Sequence, residues 1–236
     1  SSPEAGYESI AVSDLHLMGV GSLPITSADG PYGKLVSLVS PYTITEGVNE
    51  KGLGVAILEL KDKEIHQDNG KPDVGTTLAI RAMLDTCATV DEAIAFLESV
   101  DMFAAARGCY HFQIADATGK SVVVSYVENE MIITEENEKG FIAATNFYLH
   151  DVPFKYEKQG LDRYEILKTT LTEKKSILTA QEGMDLLEAV RIKGTDPDEK
   201  GRVYSTQWSS IYDLTNPTLR LCSDMDYENV YVYEVK

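Results

Sequence analysis

The 236 residues suffice for one domain burying roughly 70 to 75% of the surface its unfolded chain exposes, and 43% hydrophobic with 25% charged residues is an ordinary globular balance, neither disordered nor collagen-like. A formal net charge of −17, from 38 acidic against 21 basic residues, lacks the clustered cations that phosphate backbones demand, so no nucleic acid partner is expected. No apolar run approaches membrane-spanning length, so no membrane insertion is expected either.

The opening Ser1-Ser2-Pro3-Glu4-Ala5-Gly6 is polar, without the basic region and apolar core of a signal peptide, and begins without Met; a processed or truncated chain is the expectation. Tyr7 to Leu15 reads as a strand entering a long loop with Gly19, Gly21 and Pro24, and Tyr32 to Val39 as a short helix. Next comes the stretch around which the chain is organised. Tyr42 to Glu46 is a short strand, Asn49 to Gly52 a turn, and Leu53 to Leu60 a strand with Val55 and Ile57 on one face and Ala56, Leu58 and Leu60 on the other. Apolar residues on both faces predict a protein layer on each side. Glu59 interrupts the run; an unpaired buried charge is costly, so its carboxylate is expected to face a pocket or a cationic partner.

Lys61 to Gly75 reads as a surface loop turning at Asp68-Asn69-Gly70. Thr76 to Thr86 is a helix opened by a hydroxyl residue. A second follows, with Thr89 and Glu92 as a capping box and Val90, Ala93, Ile94 and Leu97 as one apolar stripe. Tyr110–Ala115, Ser121–Val127 and Met131–Thr134 form an antiparallel meander, and Phe141 to Thr145 a fourth short strand ending at Asn146. Asp162 to Leu171 is helical, and Thr179 with Glu182 caps a helix running to about Ile192. Val203–Leu214, Leu219–Cys222 and Val230–Tyr233 return to β structure, with Asn216-Pro217 as a turn. Strands, helices, strands, helices, strands without a linker predict a single α+β domain with helix layers outside a two-sheet core.

Common catalytic motifs are absent: no G-x-S-x-G elbow, Walker loop, G-x-G-x-x-G, H-E-x-x-H or C-x-x-C occurs. Cys87, Cys109 and Cys222 are far apart and odd in number, which predicts small buried residues rather than a disulfide framework or metal site. His16, His66, His111 and His150 are scattered, each a possible base and each readable as structural.

The segments GVNEKGLGVAIL, TTLAIRAMLDTCATVDEAIAFL, DATGKSVVVSY, AATN, LDRYEIL and YSTQWSSIYDL stand in the order seen in one superfamily: the chain resembles the choloylglycine hydrolases, which include conjugated bile acid hydrolases and penicillin V acylases. The resemblance implies an N-terminal nucleophile hydrolase with a four-layer αββα sandwich. In that family a first-residue cysteine attacks a linear amide while its own α-amine, with an ordinary pKa of about 7.7 to 8.0, takes the proton. No cofactor is implied, the expected partner is a small-molecule N-acyl substrate, and homo-oligomers are common. The opening Cys strand has no counterpart here, so this chain alone is expected to be inactive unless Ser1 serves.

Two site residues carry over. Asn146 matches the family's oxyanion donor, beside a plain reading as a turn residue. Arg163 matches the arginine near the nucleophile, beside a surface pairing with Asp162 or Glu165. Glu59 falls at a substrate-contact position where bile acid hydrolases carry asparagine and penicillin V acylases tyrosine; a carboxylate would suit an amine or guanidinium, or bridge to a neighbouring loop. Asn49 reads as a turn residue, and Trp208 and Tyr212 as packing or an aromatic pocket wall. The resemblance implies amide hydrolysis; acyl transfer to an amine through the same acyl-enzyme, or a catalytically silent binding protein, are the alternatives.

Overall fold

The computed structural model describes residues 6–14, 38, 40–104, 108–136, 139–154, 158–194 and 203–235. The expected helix at Tyr32 to Val39, the Gly19 loop, Ser1 and His16 lie outside them, apart from Leu38.

The strand β1 (Ser9–Ser13) is followed by a 3-10 turn at Ser40–Tyr42, β2 (Ile44–Asn49) and β3 (Gly54–Leu60). The expected strand at Tyr42 is therefore shifted: Pro41 favours the tight turn, and pairing begins at Ile44. Asn49 explains why the hairpin closes where it does. Its fully buried Oδ1 accepts from the amides of Lys51 and Leu53 at 3.1 and 3.0 Å, fixing the turn. Its Nδ2 donates at 2.9 and 2.8 Å to the carbonyls of Leu84 and Cys87, where the first long helix ends and its carbonyls lack intrahelical partners. All four hydrogen-bonding positions are thus spent, and the turn reading holds.

What reads as a plain loop before that helix contains a third feature. Asp73–Gly75 forms β4, parallel to β5 (Asp101–Phe103). Three residues are too few to leave a periodic signal. Between them lie α1 (Thr76–Thr86), as expected, and α2 (Val90–Glu98). Thr89 caps α2 by accepting from the amide of Glu92 at 3.2 Å, but Glu92 returns its carboxylate to the amide of Ala88 rather than to that of Thr89. Asp116 supplies another cap, accepting from the Val90 amide at 2.8 Å.

The meander is present as β6 (Cys109–Ala115), β7 (Ser121–Val127) and β8 (Glu130–Glu135). These strands join the first three in a six-stranded antiparallel sheet, ordered β1-β2-β3-β6-β7-β8. Register pairs Val55 with Ile114, Ile57 with Phe112, Ala56 with Gln113, and Leu58 with His111. The first two pairs pack with Ile80, Met83 and Leu84 of α1 and with Val90, Ala93 and Leu97 of α2. The close fit shows at Gly47, where an added methyl would lie 2.8 Å from Leu84 Cδ1.

The opposite face of the sheet looks toward a second, three-stranded antiparallel sheet, β9 (Trp208–Asp213), β10 (Thr218–Ser223) and β11 (Val230–Glu234), ordered β11-β10-β9. The contact is polar. Glu46, paired with Ala56 across the β2–β3 ladder, projects to β9 and accepts on Oε1 from Trp208 Nε1 at 3.0 Å, from Ser210 Oγ, and from Tyr212 Oη at 3.2 Å. Trp208 and Tyr212 are therefore held by hydrogen bonds rather than by packing alone, and Tyr212 also lines the space between the sheets.

The remaining helices are α3 (Leu161–Glu173) and α4 (Ala180–Ala189). The latter opens with the full capping box of Thr179 and Glu182, and Gly183 gives room for Ile211 of β9. The expected strand at Phe141 to Thr145 is different in kind. Those residues join no ladder, and only Asn146 forms a single bridge, to Gln159. The mixed α+β class with antiparallel sheets is as expected.

Candidate active site

Glu59, Asn146 and Arg163, drawn from the end of β3, a loop and the first turn of α3, converge on one amide group. Arg163 Nη2 donates to Asn146 Oδ1 at 2.8 Å. Asn146 Nδ2 donates to the backbone oxygen of Glu59 at 2.8 Å. A guanidinium can only donate, so it fixes the amide with its oxygen toward Arg163 and its nitrogen toward Glu59. Nδ2 carries two hydrogens and the Glu59 carbonyl takes one. The second has no acceptor among the described residues, which leaves an oriented, neutral donor beside Arg163.

Arg163 can reach Asn146 because of Gly160, the residue before α3. Its φ of +76° is a conformation that glycine tolerates best, and any side chain there would collide with the guanidinium. The half-buried Arg163 has its pKa pushed below the ordinary arginine value by burial, although its neighbour Asp162 favours the charge. The surface pairings with Asp162 or Glu165 are not formed: no ion pair joins them to Arg163 among the described residues.

The backbone before Asn146 is also held. Thr145 Oγ1 donates to the Gly160 carbonyl at 3.0 Å. His111, fully buried on β6, places Nε2 2.7 Å from the Thr145 carbonyl. A carbonyl only accepts, so Nε2 carries the proton. Burial pushes the His111 pKa down to about 4, with nearby His150 acting in the same direction, and the ring stays neutral near pH 7.

Glu59 departs from expectation. Its carboxylate is exposed at the strand end and meets no cation among the described residues, so it carries neither the buried charge nor the loop salt bridge that the sequence suggested. What it gives the cluster is its carbonyl. Burial pushes the Tyr110 phenol up to about 12, and the nearby Glu59 and Asp14 carboxylates act in the same direction. A cleft of about 300 Å³ touches Arg163 and is lined by Asp162, Ile166, Arg191 and Lys193 among others. A larger cavity, about 480 Å³, lies elsewhere against Asp62, Glu64, Tyr126 and Phe154 and touches neither Asn146 nor Arg163.

None of the three cysteines is poised as a nucleophile. All are buried free thiols, and burial raises the pKa of each, that of Cys109 to about 11. Cys109 instead meets the Tyr148 hydroxyl at 3.4 Å, which in turn donates to Asp62 at 2.6 Å. His66 is exposed, and both ring nitrogens of His150 are buried without a hydrogen-bond partner. No group of His, Cys, Asp or Glu among the described residues has the arrangement of a metal site, and no helix among them is long and apolar enough to cross a membrane.

Glu46 is the polar site that the sequence reading missed. The residue is half-buried, and burial raises its pKa against the lowering effect of its three donors. It lines a space of about 280 Å³ between the sheets with Gln113, Ser210, Tyr212 and Leu214. The available signal was the alternation of Trp208, Ser210 and Tyr212, three donors on one face of a strand.

Comparison with known proteins gives a consistent set. The profile of the family described as acyl-coenzyme A:6-aminopenicillanic acid acyl-transferase matches residues 32–227. Penicillin V acylase from Pectobacterium atrosepticum is 26% identical over 137 residues, covering 53% of this chain and 34% of that protein, so the match spans about a third of that relative's length. Among solved structures, a variant of conjugated bile acid hydrolase from Clostridium perfringens superposes with a TM-score of 0.63 at 18% identity, over 80% of this chain and 72% of the other. Penicillin V acylase from Agrobacterium tumefaciens does so with a TM-score of 0.63 at 20% identity, over 83% and 67%.

Proposed function

This chain belongs to the acyl-coenzyme A:6-aminopenicillanic acid acyl-transferase family, alongside the choloylglycine hydrolases and with their N-terminal nucleophile hydrolase fold, and from that premise we propose that it forms the oxyanion-binding part of a linear amide hydrolase. The observation that carries this reading is the relay from Arg163 to Asn146 to the Glu59 carbonyl, which leaves one Nδ2 hydrogen without an acceptor among the described residues. As the amide carbon becomes tetrahedral, negative charge gathers on its oxygen. A donor already oriented and held by an adjacent guanidinium stabilises that charge without having to reorganise. Donation from Arg163 to Oδ1 also polarises the amide and strengthens its N–H as a donor.

The nucleophile in this reading is an N-terminal cysteine thiol from outside these 236 residues, because the three thiols within them are buried and hard to ionise. The acyl group passes to sulfur, the amine leaves with a proton relayed by the α-amino group, and water releases the acid. The exposed Glu59 carboxylate suits a substrate bearing an amine or guanidinium. The architecture in this reading is one domain of four αββα layers; α1 and α2 against the six-stranded sheet, and α4 against β9, support it. Acyl transfer is the second reading, favoured by the matched family's description as an acyl-transferase.

The test is amine release from a panel of N-acyl compounds by the protein that carries this chain together with a Cys-initiated strand, with and without an added acceptor amine. Free acid and free amine in equal amounts support hydrolysis. A new amide in the presence of the acceptor moves the assignment to transfer. Failure to cleave any member of the panel, by folded protein with an unblocked cysteine, would sink both in favour of a silent binder.

A further inference from the structure

Residues 141–145 carry Asn146 into the site without joining any ladder, so the backbone hydrogen bonds that normally fix a strand do not fix this one. What holds it is side chains of β6. His111 and Gln113 stand two apart and so project from the same face of the sheet. His111 Nε2 lies 2.7 Å from the Thr145 carbonyl, and Gln113 Nε2 makes a longer contact, 3.5 Å, with the Ile142 carbonyl. The first bond is the consequential one. A peptide unit is rigid from one Cα to the next, so gripping the oxygen of Thr145 orients the plane that ends at the Cα of Asn146. The Thr145 hydroxyl ties the same residue to Gly160, directly before the helix that presents Arg163.

We propose that His111 is a positioning residue for the oxyanion donor: its Nε2–H, anchored in the central sheet, sets the peptide plane from which the Asn146 amide is presented between Arg163 and the Glu59 carbonyl. This rests on Asn146 being the oxyanion donor. The residue's own surroundings support a specific use of that one proton. The other ring nitrogen, Nδ1, is buried without a partner. A leucine at this position would leave the buried Thr145 carbonyl without its donor, whereas imidazole supplies that one donor and leaves Nδ1 as the only atom of its ring without a partner among the described residues. Ser125, on the neighbouring strand β7, is likewise buried, and its hydroxyl meets no partner among the described residues.

The experiment compares His111→Leu, His111→Gln and His111→Asn in the protein that carries this chain, by nitrogen-15 NMR of the Asn146 side-chain amide, assigned by its loss in Asn146→Asp. A glutamine amide nitrogen stands near the place of imidazole Nε2; that of asparagine, one methylene shorter, does not reach it. The expected result is at least tenfold faster hydrogen exchange of the Asn146 amide in the Leu and Asn variants, with protection restored by Gln. Where amide cleavage is measurable, kcat falls about tenfold or more in the Leu and Asn variants with KM held, and Gln recovers most of it. An Asn146 signal unchanged in His111→Leu, or Gln no better than Asn, overturns the proposal. If His111→Leu does not fold, the comparison of Gln with Asn decides. The NMR readout requires no turnover. Loss of the amidase reading through a neutral Asn146→Ala variant is therefore a separate result from loss of this one.

Discussion

Replacing Glu46 tests whether the two sheets are joined by one acceptor. Alanine there strands three donors: Trp208 Nε1, the Ser210 hydroxyl and the Tyr212 hydroxyl. An unpaired buried donor costs about 1 to 3 kcal/mol. All three donors are only half-buried, and the two hydroxyls can rotate toward other acceptors, so the lower end applies and the sum is about 2 to 3 kcal/mol. Removing a half-buried carboxylate returns part of that sum at neutral pH, where burying the charge is itself costly. Glutamine separates the two effects, because its Oε1 accepts the same bonds without the charge.

The pH dependence has a definite sign. Burial raises the Glu46 pKa in the folded state above its unfolded value, about 4.3 for an ordinary Glu. Stability from the protonated form is therefore complete below the unfolded pKa and is lost as pH rises through the folded pKa. Glutamine has no such loss, so Glu46→Gln should gain on the wild type as pH rises from 4 toward 8, and then hold a constant advantage. Trp208 is the sole tryptophan and bonds Glu46 directly, so urea titrations followed by its fluorescence report on this contact as well as on unfolding. Glu46→Ala within 1 kcal/mol of wild type at pH 5, or a Gln-to-Glu difference that is flat from pH 4 to 8, would refute the reasoning.

Three further outcomes are expected. In the protein that carries this chain, the proposed amide cleavage should fall in kcat roughly a hundredfold to a thousandfold in Asn146→Ala with KM little changed; near-normal steady-state turnover would return Asn146 to a turn role. Arg163→Ala frees the Asn146 amide to rotate and should lower kcat about tenfold or more, with Lys recovering only part because it lacks the planar fork; full recovery by Lys would show that charge alone matters. Asn49→Ala breaks four hydrogen bonds, three of them buried, that fix the hairpin turn and join it to the end of α1, and should cost about 3 to 5 kcal/mol, or roughly 6 to 20 °C in Tm; a calorimetric shift under 3 °C would contradict that accounting.

The elements that could be read from sequence are those whose cause is local. The boundaries of α1 follow from its strong helix formers, α4 begins at a capping box, and β6 to β8 alternate between short turn signals. Elements fixed by distant partners were read less well. Phe141 to Thr145 has strand composition, yet side chains 34 and 29 positions away hold it in place of a ladder. Glu46 looks like any acidic residue in a half-buried strand, and its donors arrive more than 160 residues later. Glu59 was misjudged because an apolar run suggests burial to its very end, whereas strand ends reach solvent. The pairing of Asn146 with Arg163 carried no spacing or motif of its own; only resemblance to a family pointed to both, and the contact between them depends on the backbone bend at Gly160.

The burial of Cys87, Cys109 and Cys222 has a practical consequence for counting. With a pKa near 11, the Cys109 thiol is ionised in only about one molecule in ten thousand at pH 7, and all three are screened from reagents by the packed core. In folded protein these 236 residues form a silent background to a thiol-labelling reagent. Each equivalent of label taken up rapidly under native conditions then reports a cysteine from some other segment, so a single intact-mass measurement gives the number of reactive thiols in the assembled protein without a single substitution.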